Sequence, residues 1–281
     1  MRAIHINHTA PFMQRNGQST YLCEDFELLT CALSALKWRE HNGTIKMVTD
    51  SVGYKFYADN NLLSIWDSVN CELDNIPNWN FNMFWAGAKL YALSKETTPV
   101  AVMDTDFIVW APLAFSNLGD VTAIHREPIY TDVYPDINTF KMKRGYIFDP
   151  DWDWREEPVN TAFYVIKNRE LKDKYTKEAF LFMENAIECG DCLTYMVFAE
   201  QRILPMCAKA MDCRVDSFSK LERLFNDGER YFTHTWGMKQ QMRDMPKLRY
   251  DFCMRCANRI KRDFPDYAKI LGEVDILKKY F

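Results

Sequence analysis

Residues 99–110, PVAVMDTDFIVW, set two aspartates one residue apart inside an otherwise apolar run. Val100, Ala101, Val102 and Met103 precede Asp104, and Phe107, Ile108, Val109 and Trp110 follow Asp106. Such a run reads as a buried strand, and a strand sends positions i and i+2 to the same side, so the two carboxylates converge on one point. Charges there are costly unless paired or bound to a metal. A divalent cation is the simplest partner. Carboxylate oxygens suit Mg²⁺ or Mn²⁺, which complete their shells with water and substrate phosphates. The alternative is a pair of aspartates in a strand-end turn, one capping a helix or pairing with an arginine.

The chain around this run has 281 residues, 48% of them hydrophobic, which is enough for a sizeable core. A formal charge of -4 and a pI near 5.8 argue against a nucleic-acid binder, which needs a clustered basic face. No long apolar run marks a secretory or membrane-spanning segment, so a cytoplasmic protein is expected. The nine cysteines then read as reduced thiols. Cys189 and Cys192, with Cys253 and Cys256, form two CxxC pairs. Packing on helix faces suits them better than a shared zinc, because the stretch between the pairs is long for a zinc ribbon.

In chain order, AIHINHT (3–9) reads as a strand ending in Asn7, His8 and Thr9, and a helix carrying Phe26, Leu29, Leu33 and Leu36 runs to Asn42-Gly43. TIKMVTD (44–50) is a second strand closing on Asp50. A polar residue there either faces a ligand or caps the next helix. A helix over 53–60, a short strand over 63–66 and a helix over 82–95 carrying Lys89 lead into the aspartate run. That alternation predicts an α/β fold with a mixed, mostly parallel sheet flanked by helices. Residues 128–158 read as an irregular segment in which Trp152 and Trp154 either stack on a sugar or sit half-buried. Next come Asn160 before a strand (161–167), a helix from Glu170 to about Cys189, and a helix capped by Asp191 that carries Glu200 and Gln201. YFTHTWGMK (231–239) forms a second chemical cluster of His234, Gly237 and Lys239, in which the glycine lets backbone approach a ligand and the lysine offers its ammonium to a phosphate. The basic and apolar residues beyond Leu248 suggest a helix packed on the body, with peripheral membrane contact as the alternative.

Taken in order, the strand ending VTD, the WAGAKLYAL helix, the Asp104-Thr105-Asp106 run, Asn160, FAEQRIL and HTWGMK resemble a bacterial branch of the GT-A nucleotide-sugar glycosyltransferases with a DXD motif. The resemblance implies a single domain over 1–281, with a nucleotide-binding half (1–110), an acceptor-side half (111–247) and a C-terminal helical segment (248–281). It implies that Asp106 and His234 bind Mn²⁺ or Mg²⁺, as in glycogenin-like and galactosyltransferase-like enzymes, and that Asp104 contacts the metal or the donor ribose. Asn7, His8, Thr9, Asp50, Lys89, Gly237 and Lys239 would line the donor, a UDP-sugar by the same resemblance, and Asn160, Glu200 and Gln201 would address the sugar and a glycan or other hydroxyl acceptor. The late motif of those enzymes, HxxGxxKPW, is kept only in part, because Gln240 stands where the lysine belongs. A haloacid-dehalogenase-like phosphatase also carries DxD, but near its N-terminus and with a different following residue than Ile108. A non-catalytic sugar-binding protein on the same fold is a further alternative.

Overall fold

The strands in chain order are β1 (Ala3–Asn7), β2 (Ile45–Thr49), β3 (Ser68–Asn70), β4 (Val100–Met103), β5 (Phe107–Val109), β6 (Val121–Ala123), β7 (Phe163–Ile166), β8 (Val215–Ser217) and β9 (Phe232–His234), of which β4, β5 and β7 are wholly apolar. The helices are α1 (Ala10–Asn16), α2 (Asp25–His41), α3 (Ser51–Asp59), α4 (Gly87–Lys95), α5 (Arg169–Asn185), α6 (Cys192–Val197), α7 (Ile203–Ala210), α8 (Leu221–Phe225), α9 (Met238–Asp244), α10 (Pro246–Asp263) and α11 (Pro265–Gly272). The structure, a computed structural model, describes residues 1–17, 20–225 and 229–281. Seven strands make one mixed, mostly parallel sheet flanked by helices, the α/β arrangement expected of a GT-A-type chain, and β5 and β9 form a separate pair. β4 and β7 are buried at every position, the pattern of strands covered on both faces.

The chain divides into two compact units, one of Met1–Asp74, Met103–Leu113 and Gly228–Phe281, the other of Asn75–Val102 and Ala114–Asp227. In the first, β1 pairs in parallel with β2, and β2 with β3, while β5 runs antiparallel to β9. α2 is buried over nearly all of its length, because it is apolar all round and lies between β5 and α10. The C-terminal segment packs on α2. Arg249 Nε donates to Asp25 Oδ1 at 2.6 Å, and the Tyr280 hydroxyl to Asp25 Oδ2 at 2.6 Å. In the second unit β6 runs antiparallel to β7 and parallel to β8, and α5 packs on α4 and α7. Among the described residues, no helix is long and apolar enough to cross a membrane.

Several boundaries differ from the sequence pattern, each for a local reason. Residues 63–66 form a 3₁₀ turn (Leu63–Ile65) and not a strand, because Leu62, Ile65 and Trp66 reach the core at helical spacing. α4 starts at Gly87, since Asn80 Oδ1 accepts from the amides of Asn82 (3.1 Å) and Met83 (3.2 Å) and bends the preceding chain into a turn. α5 stops at Asn185, where Lys143 N and then Ile187 N, bonded to Lys141 O, capture the chain. The helix capped by Asp191 is interrupted by a π-helical turn, Phe198–Arg202. Trp152 is buried, and Trp154 is half-buried and stacks on Phe198 at 5.3 Å with the Arg202 guanidinium over its ring, so both rings pack with the unit's aromatic side chains.

His5 on β1 is fully buried. Burial drives its imidazole from 6.5 down to about 3, against the opposing charge of Asp106. Because the folded value lies below the unfolded one, the unfolded chain takes up the proton first, and stability present above pH 6.5 is lost as pH falls from 6.5 toward 3. Urea unfolding should lose roughly 2 kcal/mol from this group between pH 6.5 and pH 5, and His5→Gln should flatten that slope. An unchanged slope in the variant would contradict the assignment.

Candidate functional site

The aspartate run is not one continuous strand. After β4 the chain turns through Asp104, Thr105 and Asp106, with Phe107 N donating to Asp104 O at 3.0 Å, and resumes as β5. Two neighbouring aspartates favour such a turn because their side chains compete with the strand ladder for backbone amides. The carboxylates still converge, and the β5–β9 pairing adds the third group. Phe107 lies opposite His234 in that register. One ligand atom each from Asp104, Asp106 and His234 falls within 4.8 Å of the others, slightly wider than the ~4.0–4.6 Å that opposite ligands reach across one cation with ~2.0–2.3 Å bonds, so binding an ion there would draw the three together. Among the described residues this is the one group of three or more His, Cys, Asp or Glu so arranged. Two carboxylates and an imidazole are donors compatible with a divalent metal.

Asp106 is only 6% exposed. Its Oδ2 receives the Thr235 hydroxyl at 3.0 Å and the Lys239 ammonium at 3.0 Å, while His234 Nε2 stands at 3.7 Å, beyond hydrogen-bond length. Burial pushes this carboxyl up, but His234 and Lys239 override it and hold it well below the usual carboxylate range. Burial likewise lowers Lys239, yet the charge of Asp106 wins and raises it. The His234 ring stacks on that of Trp236, 6.3 Å away and 8° from parallel. Gly237 is the N-cap of α9 at φ -70°, with open space where a Cβ would stand, so its backbone needs no glycine.

A cavity of about 160 Å³ opens beside Asp106, Thr105 and Lys239, and Asn7, Tyr21, Glu27, Cys31 and Tyr57 also line it. Tyr21, Glu27, Tyr57 and Thr235 escaped sequence reasoning. Only the four-residue spacing of Glu27 and Cys31 on one side of α2 could have flagged that wall. Asn7 Nδ2 donates to the Tyr57 hydroxyl at 2.8 Å. Asp50 acts as the N-cap of α3, accepting from Gly53 N at 2.8 Å, and also binds Thr9 through its amide at 2.7 Å and its hydroxyl at 2.9 Å. Its oxygens therefore tie the loop after β1 to α3. Burial lowers the neighbouring His8 imidazole, against the charge of Asp50.

The remaining predicted residues gather in the second unit. Lys89 Nζ lies 2.5 Å from Glu200 Oε1 and 3.2 Å from Thr161 O, in a buried ion pair. Glu200 and Gln201 occupy the π-helical turn, a wide turn common at functional sites, and the Tyr175 hydroxyl holds the Glu200 carbonyl at 2.6 Å. Asn160 Nδ2 donates to Glu127 Oε1 at 2.8 Å, and the Tyr134 hydroxyl sits 2.7 Å from Glu127 Oε2 and 2.6 Å from Gln201 Oε1. Glu127 and Tyr134 had no signal in the sequence. The two CxxC pairs fall in different units, and Cys253 and Cys256 are buried on α10.

Over residues 9–273 the chain matches a family described as a family of unknown function (DUF6734). The chain belongs to that family. No curated protein matches it. Among solved structures it is similar to the glycosyltransferase GlyE of Streptococcus pneumoniae TIGR4, at 15% identity and a TM-score of 0.37, over 80% of this chain and 46% of that one. The chain thus spans about half the length of that protein.

Removing one partner of a buried ion pair strands the other charge. Lys89→Met should cost ~3–5 kcal/mol in denaturant unfolding, and Lys89→Met combined with Glu200→Gln should recover most of it. A double variant as unstable as the single one would show that the pair is not what holds these side chains.

Proposed function

We propose that this chain is a metal-dependent glycosyltransferase that moves a sugar from a nucleotide-sugar donor, a UDP-sugar, to a hydroxyl of a glycan or similar acceptor. One observation carries the reading, namely that Asp104, Asp106 and His234 bring two oxygens and a nitrogen within 4.8 Å of one another beside a 160 Å³ cavity. The donor set fits Mn²⁺ or Mg²⁺. Bound there, the ion would offset the charge that develops on the departing diphosphate.

The chain's own residues supply the rest. Lys239, already drawn to Asp106, brings a second positive charge to the donor, and Asp104 faces either the ion or the donor ribose. Asn7, His8, Thr9 and Asp50 shape the carboxyl edge of β1 and β2, where open α/β sheets hold their ligands. Gly237 begins the helix that carries Lys239. Asn160, Gln201 and Glu200 address the sugar and acceptor, with Lys89 holding Glu200. A carboxylate neutralised by an ammonium at 2.5 Å is a weak general base. That favours retention of the anomeric configuration over an inverting mechanism, which needs such a base. Proton NMR of the product anomer checks this: retention is expected, and an inverted product would overturn it.

The central test is a thermal-shift series with UDP-sugars, with and without Mn²⁺, beside Mn²⁺-dependent UDP release. Saturation near 100 Kd should stabilise by about 2.7 kcal/mol only when Mn²⁺ is present, and Asp106→Ala should abolish both the shift and the turnover. Failure of every nucleotide sugar to shift the melt would overturn the donor assignment. A shift without turnover would make the chain a non-catalytic binding protein.

A further inference from the structure

A line of buried hydrogen bonds runs through the first unit to the aspartate turn. Trp66 Nε1 donates to His5 Nδ1 at 3.2 Å. Indole N–H is a donor only, so His5 Nδ1 must accept. A fully buried imidazole is neutral and carries one proton, which therefore sits on Nε2 and faces Ser34 Oγ at 3.1 Å. With its oxygen accepting from His5, Ser34 turns its own proton to the carbonyl of Phe107. Every donor in the line is thus assigned from its first member. His5 lies on β1, Ser34 on α2 and Trp66 just past the 3₁₀ turn, and none of the three is more than 2% exposed.

Phe107 is where this line matters. Asp106 precedes it in the chain, and His234 stands opposite it in the β5–β9 register. Fixing the Phe107 peptide therefore sets the separation of two of the three groups that converge on one point. We propose that Trp66, His5 and Ser34 position Asp106 and His234 for a divalent cation by anchoring the Phe107 carbonyl. The proposal rests on the metal reading above. None of the three touches the reacting groups, so they are positioning residues. Outer partners of this kind act by removing freedom from the ligands, and their loss costs about 10- to 100-fold in metal affinity.

The test titrates the full chain with Mn²⁺, following free Mn²⁺ by electron paramagnetic resonance, for the wild type, Ser34→Ala and Thr30→Ala. Thr30 is the control, since it lies one turn away on α2, is equally buried, and bonds only within its helix to Phe26 O. Ser34→Ala should weaken Mn²⁺ binding about 10- to 100-fold while Thr30→Ala leaves it unchanged. Equal affinity in the two variants would overturn the proposal. Should Ser34→Ala not fold, Trp66→Phe keeps an aromatic side chain, though a smaller one, removes the N–H and should weaken binding in the same direction, and an unaltered affinity there would be equally decisive. Wild type that binds no Mn²⁺ would defeat the metal reading itself. The line is then judged by hydrogen exchange at the Phe107 and Thr235 amides, which bond Asp104 O and Asp106 O. Faster exchange in Ser34→Ala than in Thr30→Ala supports the anchoring, and equal exchange overturns it.

Discussion

A carboxylate shut away from water must find its charge answered, and Asp106, 6% exposed, is answered by the ammonium of Lys239, the hydroxyl of Thr235 and the imidazole of His234. That requirement ties three separate stretches of the chain together. The turn between β4 and β5 must hold the aspartate in place, β9 must run antiparallel to β5 so that His234 faces Phe107, and α9 must begin immediately afterwards so that Lys239 reaches back. α2 closes the far side, burying its apolar surface against β5 and contributing Glu27 and Cys31 to the cavity wall.

The second unit meets the same physical problem differently. Lys89 and Glu200 neutralise each other, and Glu127 accepts from both Asn160 and Tyr134, with Gln201 Oε1 beside the same Tyr134 hydroxyl. Linked polar groups of this kind resist displacement, because releasing one member leaves another without its partner. Glu200 and Gln201, consecutive in the π-helical turn, take different partners, Lys89 and Tyr134. Arg202, next along, spends its guanidinium on the carbonyls of Tyr134, Pro135 and Trp154, which pins the irregular segment containing them.

Much of this was legible in the residues themselves. Apolar runs of strand length marked β1, β2 and β7, the run that became β4 and β5 read as a single strand, and helical spacing marked α2 and α5, because burial of a face imposes its period on the chain. The spacing of Asp104 and Asp106 pointed to a metal-like pair, and the family resemblance added His234 to it. Boundaries were less legible, since Asn80 and the captures at Lys141 and Lys143 end elements through bonds that composition does not display. Asp50 is instructive: its position past a strand end suited a ligand contact, but Gly53 and Thr9 engage its oxygens.

The sequence by itself determined the α/β class and the pair of aspartates at the site, since these follow from residue type and period. Tertiary structure alone decided which partners those groups have. Lys239 on Asp106, Lys89 on Glu200, Glu127 between Asn160 and Tyr134, and the buried line from Trp66 to Phe107 join residues far apart in the chain. A hydrogen bond depends on direction and on distances of about 3 Å, and no pattern along one chain encodes those before the strands and helices have packed.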